Sequence, residues 1–409
     1  MRLSEELIWR GFSAETTIQD PTELDTREVK KFYWGADPSA DSLTIGNLAA
    51  AMMCACFVRH GYEPTLLVGG ATGQIGDPKE NGERDLKSLD EVEHNKKCIA
   101  EQMRRVFRQD DIRVVDNYDW FKEMKYLEFL REVGKAFSMT QLLDRQFVQN
   151  RIGEGGSGIS YAEFSYTLIQ GYDFLHLYRK YGINLQLCGA DQFGNCSSGI
   201  HLIKRLEGAK ADAWSTPLII DPATGRKFGK SEGNAVWLSG RDNGSGNYTS
   251  VFDFYQFWLN QTDEAVEYLL KIYTLLEKDE VEEIMAKHQT DPGQREAQKA
   301  LARGVTEVVH GKEATEAVIN LSERLFKGGL EELGGDEILE FGEYLATAKK
   351  GGGLFEILVK TGLCTSKGEA RKLAAAGAIT VNGVKVAEDA PISQTAIVKR
   401  GKNKFAVVM

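Results

Sequence analysis

The sequence predicts an α/β protein: a parallel sheet covered by helices, then a long helical stretch, then a small α+β domain. Three observations predict it. A short apolar run, Phe32-Tyr33-Trp34, is followed by a helix-like segment and a second apolar run, Thr65 to Val68. That order closes into a right-handed parallel crossover. From Val251 to about Thr347 apolar residues recur at helical spacing with no strand-like alternation. The remainder pairs a basic helix-like stretch, Ser366 to Leu373, with a strand-like run and an Asn382-Gly383 turn.

Composition bounds the function. A chain of 409 residues is long for one domain, so two or three are expected. No stretch is long and apolar enough to cross a membrane. The first twenty residues carry Arg2, Glu5, Glu6, Arg10, Glu15 and Asp20, which suits neither a signal peptide nor a transit peptide, and a cytoplasmic protein is the simplest expectation. Six cysteines, at 54, 56, 98, 188, 196 and 364, form no C-x-x-C pair, so buried reduced thiols are expected rather than zinc or disulfides. The formal net charge is −10, yet residues 354–409 hold nine Lys and Arg against four Asp and Glu. An acidic body with a basic tail fits a tail that meets a polyanion, or simply a small domain with exposed lysines.

Taken in order, residues 1–30 carry a helix and a polar loop. Gly35 and Asp37-Pro38 then end the first strand in a turn. Ser42 and Thr44 are candidate N-caps of a helix from about Gly46 to His60, stopped by Gly61. A ligand of such a crossover lies at the carboxyl end of the strand against the helix N-terminus, where free N–H groups favour anions. The second strand runs into four glycines within residues 69–76, either a backbone surface for a ligand or a plain glycine turn. It is no P-loop, since no Gly-Lys-Ser/Thr closes it. Leu89 to Arg108 reads as an exposed amphipathic helix, Ile112 to Val115 as a strand and Trp120 to Gly134 as a helix with mixed faces. Phe137 to Ile152 has apolar residues at helical spacing, and Gly153 to Gly158 is a loop. On the next helix Tyr166, Gln170 and Asp173 stand at i, i+4 and i+7 and share one face, either a binding row or a solvated stripe. Ile183 to Leu187 is a strand ending in Cys188-Gly189-Ala190-Asp191-Gln192-Phe193-Gly194-Asn195. Arg226 to Asn234 is a basic glycine-containing loop; Thr224, where a Walker A loop needs glycine, excludes that reading. Lys349 to Gly353 reads as a linker.

These segments together resemble the class I aminoacyl-tRNA synthetases, and within them the tyrosyl-tRNA synthetases of bacterial and organellar type. The likeness lies in Tyr33-x-Gly35-x-Asp37-Pro38-Ser39-Ala40-x-Ser42-Leu43, in the turn Cys188 to Asn195, which is similar to the family's Gly-Gly-Ser-Asp-Gln-Trp-Gly-Asn, and in Lys227-Phe228-Gly229-Lys230-Ser231, which resembles Lys-Met-Ser-Lys-Ser. One departure stands out: Thr44-Ile45-Gly46-Asn47 occupies the place of His-Ile-Gly-His, so both histidines are replaced.

The resemblance implies a Rossmann-like catalytic domain over residues 1–246, a helical anticodon-side domain over 247–347, and a linker with an S4-like RNA-binding domain over 348–409. It implies ATP-dependent activation of L-tyrosine and transfer to tRNA(Tyr), with Mg²⁺ accompanying ATP and no protein-ligated metal. Tyr33 and Asp173 would bond the phenol; Tyr166, Gln170 and Asp77 the amino-acid head group; Gln186 and Gln192 would line the same pocket. Asp37, Ser39, Gly46, Gly189, Asp191 and Lys230 would meet ATP, with Asp191 on the ribose. Thr44, Asn47, Lys227, Lys230 and Ser231 would stabilise the transition state. Lys367, Arg371 and Lys372 would contact tRNA phosphates. The family also implies a homodimer through the region of residues 137–152, and no membrane contact. Two alternatives stay open: a tryptophan-specific sister enzyme, disfavoured because Tyr33 and Asp173 suit a phenol, and a synthetase-derived RNA-binding protein with reduced or no catalysis, motivated by the missing histidines.

Overall fold

The computed structural model describes residues 1–75, 87–143, 146–153, 158–220, 234–327 and 333–409, with 225, 228, 230, 231 and 330 besides. The chain divides into two compact units, Met1–Ala235 with Tyr268–Thr274, and Val236–Glu267 with Leu275–Met409.

The first unit is built on five parallel strands, β1 (Lys31–Ala36), β2 (Glu63–Val68), β3 (Arg113–Asp116), β4 (Leu185–Gly189) and β5 (Asp212–Thr216), in the order β3-β2-β1-β4-β5. The order reverses between β1 and β4, which makes their carboxyl ends the natural ligand crevice. The crossover from β1 to β2 is the helix Ile45–Arg59, buried from Leu48 to Phe57. The helix Leu89–Phe107 follows, capped by Ser88 and burying Val92, Ile99, Met103 and Phe107, so its amphipathic pattern is a packing face. The expected helix from Trp120 to Gly134 is instead three short turns, Tyr118–Phe121, Tyr126–Glu132 and Gly134–Ala136. The first of them follows Asn117, whose side chain is committed to tertiary bonds described below.

The helix Tyr161–Tyr181 is delimited by local chemistry. Ser160 accepts the Glu163 N–H at 3.2 Å, the Glu163 carboxylate returns to the Ser160 N–H at 3.1 Å, and Gly182 ends it at φ 68°. It lies tightly on the helix Phe193–Glu207: a Cβ at Gly199 would come within 2.5 Å of the Phe174 Cβ. At the amino end of the unit, the helix Leu3–Arg10 carries a buried charge cluster. The Glu6 carboxylate accepts Arg10 Nε at 2.7 Å and Arg59 at 3.2 Å, with His60 Nε2 at 2.7 Å. Burial pushes the Glu6 carboxyl up, but Arg10, His60 and Arg59 together hold it below the usual carboxylate range. Arg10 also donates to the carbonyls of Lys271 (2.7 Å) and Thr274 (2.9 Å), which belong to the segment that returns to this unit.

The second unit joins helices, among them Val251–Leu259, Lys278–Thr290, Glu296–His310 and Lys312–Lys327, to a five-stranded mixed sheet. Its strands run β8 (Ala346–Ala348), β9 (Ile379–Val381), β10 (Val384–Lys385), β11 (Ala396–Arg400) and β12 (Lys404–Val408) in the order β10-β9-β11-β12-β8; the pair numbered β6 (Lys230–Ser231) and β7 (Asn234–Ala235) is a separate hairpin of the first unit. The helix Lys367–Ala375 and the β9–β10 hairpin follow the expected order, with Asn382 and Gly383 at φ 47° and 82° in a two-residue turn. The stretch read as a linker is tied down: Gly351 N–H donates to Ile392 O at 2.8 Å and Lys350 N–H to Met409 O at 3.1 Å. Phe252 and Phe326 both meet Phe405 edge-on, which makes helices and sheet one packed body.

Candidate active site

At the reversal of strand order, register alone brings two expected residues together. Tyr33 on β1 lies opposite Gln186 on β4, and the helix carrying Tyr166, Gln170 and Asp173 covers this end. Tyr33 is 1% exposed and Asp173 is 1% exposed. Burial pushes the Tyr33 phenol well above its ordinary pKa, with Cys196, Asp173 and Cys188 adding to the shift. Three buried side-chain atoms here have no hydrogen-bond partner among the described residues: Tyr33 Oη, Gln170 Oε1 and Gln186 Oε1. A protein core satisfies most such atoms, so these three leave polar capacity open to a ligand.

Asp173 is held by donors that sequence reasoning missed. Asn117 Nδ2 donates to one carboxylate oxygen at 3.1 Å and Trp120 Nε1 to the other at 3.0 Å. Burial raises the Asp173 carboxyl well above the usual range, these two bonds oppose it, and Asp37 and Asp116 reinforce it. Trp120 in turn stacks on His176 at 4.2 Å between ring centres. Asn117 also donates to Thr72 Oγ1 at 3.2 Å, Thr72 donates to Asp37 at 2.8 Å, and Tyr166 Oη donates to the other Asp37 oxygen at 2.9 Å. One continuous network therefore joins Tyr166, Asp37, Thr72, Asn117, Asp173 and Trp120 across the ends of β1, β2 and β3. Asn117 and Trp120 had a signal in the sequence: Asp116-Asn117-x-x-Trp120 follows a strand at the same end of the sheet as the other motifs.

Two of the glycines after β2, Gly69 and Gly70, also leave space for side chains of the site. A Cβ at Gly69 would meet Asp37 Oδ1 at 2.5 Å, and one at Gly70 would meet Asp116 Oδ2 at 2.7 Å. They make room for the carboxylates of the site itself. Gly189 likewise leaves space for Asp191, whose carboxylate would sit 2.7 Å from an added Cβ. Asp191 is exposed on the short turn after β4, and Gln192 accepts from Asn195 at 3.2 Å.

At the start of the helix Ile45–Arg59, Asn47 is exposed and its Oδ1 accepts both the Thr44 N–H (3.1 Å) and the Thr44 hydroxyl (2.9 Å). The amide Nδ2 is thereby turned away from Thr44. Ser39 is exposed, and its N–H donates to Asp37 O at 2.8 Å. A Cβ at Gly46 would make only ordinary contact, 3.5 Å from Thr44 Oγ1, so the fold itself does not require glycine there. Asp77 and Lys227 lie outside the described residues. Lys230 and Ser231 form β6, paired with β7, and Phe228 beside them is buried. In the second unit Lys367, Arg371 and Lys372 are carried by one helix, and all three are exposed.

Comparison with known proteins follows the same outline. A family model described as tRNA synthetases class I (W and Y) matches residues 25–327, and one described as the tyrosine–tRNA ligase SYY-like C-terminal domain matches 343–408. A tyrosine–tRNA ligase of Staphylococcus haemolyticus is 39% identical over 99% of this chain and 98% of its own. Tyrosine–tRNA ligase 2 of Bacillus cereus is 38% identical over 100% and 99%. A C-terminally truncated mitochondrial tyrosyl-tRNA synthetase of Aspergillus nidulans superposes with a TM-score of 0.69 at 29% identity, covering 80% of this chain and 94% of that one. A tryptophanyl-tRNA synthetase of Plasmodium falciparum superposes with a TM-score of 0.54 at 15% identity, over 77% and 86%, a likeness of fold alone.

Proposed function

Because the chain belongs to the tyrosyl branch of the class I aminoacyl-tRNA synthetases, a ligase family that joins tyrosine to tRNA with ATP, we propose how its own residues divide that work. The observation that carries the proposal is the set of buried, unpartnered polar atoms on Tyr33, Gln170 and Gln186 beside a carboxylate, Asp173, fixed by two donors. Tyr33 and Asp173 bond the substrate phenol. Tyr166 and Gln170, with Asp77, hold its ammonium group, and Gln186 and Gln192 complete the pocket. A site built to bond a hydroxyl rejects the analogue lacking it, a rule for which tyrosyl-tRNA synthetases are themselves the reference case.

ATP lies across the ends of β1 and β4, its ribose on Asp191 and its phosphates toward Asp37, Ser39, Gly46 and the helix N-terminus at Thr44. Gly189 lets Asp191 fold toward that crevice. Mg²⁺ enters with the ATP phosphates as part of the substrate, as this reluctantly dehydrated ion does elsewhere. The tyrosine carboxylate attacks the α-phosphate and pyrophosphate departs; the terminal ribose hydroxyl of tRNA then takes the tyrosyl group from the adenylate. No side chain forms a bond to the substrate. The protein's contribution is placement and charge stabilisation, by Asn47 Nδ2, Thr44, Lys227, Lys230 and Ser231.

Thr44 keeps Asn47 oriented, so the two act together. Asn47→Ala and Thr44→Ala should each slow adenylate formation by about tenfold to a hundredfold while tyrosine affinity holds, the pattern of donors used mainly in the transition state. Pyrophosphate exchange and equilibrium dialysis on the same variants check this. Exchange at the unaltered rate would remove both residues from the phosphate site, and folded protein that binds tRNA without any tyrosine-dependent exchange would favour a purely RNA-binding role.

The working form is a homodimer in a reducing cytoplasm. Tyr126, Leu127, Met139, Ile152 and Tyr161 are large apolar residues left exposed on the first unit, and all six cysteines are unpaired. Leu127→Asp should shift the sedimentation coefficient from dimer to monomer; an unchanged coefficient would place the interface elsewhere. For charging, the helical part (247–347) serves the anticodon side and the basic sheet domain (348–409) binds tRNA phosphates, while residues 1–246, completed by the returning segment Tyr268–Thr274, carry the chemistry.

A further inference from the structure

The segment Tyr268–Thr274 belongs to the first unit although the chain on both sides of it belongs to the second. Tyr273 is its largest fully buried side chain, 0% exposed. Its hydroxyl donates to the Ile45 carbonyl at 3.1 Å, inside the first turn of the helix that opens at Thr44. Its ring packs on Phe228 at 5.9 Å between centres, tilted by 35°, and the Phe228 N–H is itself pinned to Ile219 O at 2.9 Å. Arg10 also fixes the segment through the carbonyls of Lys271 and Thr274.

One side chain thus touches both signature segments, Thr44-Ile45-Gly46-Asn47 and Lys227-Phe228-Gly229-Lys230-Ser231. Packing alone would be served by phenylalanine. A buried phenolic hydroxyl is costly unless bonded, and here it is spent on a helix carbonyl, whose second lone pair remains open to it. That carbonyl lies two residues before Asn47. A shift of this turn re-aims the Asn47 amide, and small misplacements of a donor carry large rate penalties.

We propose that Tyr273 is a positioning residue for adenylate formation, holding the first turn of the signature helix through Ile45 O and backing the second signature through Phe228. The proposal rests on the reading of Asn47 as a phosphate donor. Tyr273→Phe keeps the ring and removes only the hydroxyl. In the full-length protein it should lower the forward rate of tyrosyl-adenylate formation by about tenfold with the tyrosine Kd unchanged within about twofold. Phe228→Leu should give the same division between rate and affinity. In an Asn47→Ala background the effect of Tyr273→Phe should shrink to less than about twofold, because the donor it aims is gone. A purely structural role would instead lower the melting temperature and leave the two rate effects multiplying independently. An unaltered rate in Tyr273→Phe, or full multiplication with Asn47→Ala, overturns the proposal. If Asn47→Ala alone has no effect, the phosphate-donor reading and this inference fall together.

Discussion

Asp173→Ala should reduce kcat/KM for tyrosine in pyrophosphate exchange by about 10³-fold, with the fold retained. The magnitude follows from what is left behind. The substrate phenol loses its acceptor, and the Asn117 and Trp120 donors, both aimed at the carboxylate, lose theirs. Each unpaired buried polar group costs about 1–3 kcal/mol, and about 1.4 kcal/mol is a factor of ten. Removal of a buried carboxylate also ends its own desolvation penalty, which is why melting should move far less than activity. The comparison substrate is phenylalanine: discrimination against it should collapse in the variant, because the polar groups that reject it are gone. Wild-type tyrosine kinetics in Asp173→Ala would take the phenol away from this corner of the sheet.

The triple variant Lys367→Ala, Arg371→Ala, Lys372→Ala should lower tRNA charging by roughly a hundredfold or more at physiological salt while pyrophosphate exchange stays at its original rate. The salt slope of tRNA binding should flatten by about 2 to 3, one increment for each phosphate left without its cation. Point substitution is the sound way to ask this. Deleting everything after Gly353 would strip β12 from β8 and Phe405 from Phe252 and Phe326, so a truncated chain would report on packing as well as on charge. Equal charging by the triple variant would assign the basic helix some other task.

Much of the first unit was legible because its signals are local. Ser160, Glu163 and Gly182 bound the pocket helix by capping chemistry, and the i, i+4, i+7 spacing of Tyr166, Gln170 and Asp173 places all three toward the sheet end. The Asn382-Gly383 turn announces its hairpin for the same reason, since positive φ is cheap for those two residues. What stayed hidden depends on approach between distant segments. Nothing adjacent to Asn117 or Trp120 in the chain says that both will converge on Asp173, and amphipathic spacing misread their neighbourhood as one helix. The glycines at 69 and 70 also make room for Asp37 and Asp116, one before and one far after them, which the adjacent sequence does not announce. The expected linker at 349–353 has the composition of a free tether and is nonetheless hydrogen-bonded in place, because its partners, Ile392 and Met409, come later in the sequence.

The first unit is not contiguous in sequence, and this bears on how the protein is born. When Ala235 leaves the ribosome the five strands are complete, yet Arg10 still lacks the carbonyls of Lys271 and Thr274, and Ile45 lacks Tyr273. At ordinary elongation speeds the missing turn arrives roughly two to eight seconds later. During that interval a guanidinium destined for the interior has no carbonyl cap, so the nascent catalytic half must wait partly open for residues that the surrounding chain assigns to its neighbour. Maturation of the two halves is therefore interleaved rather than sequential, and a catalytic fragment ended anywhere before Thr274 is an unfinished one.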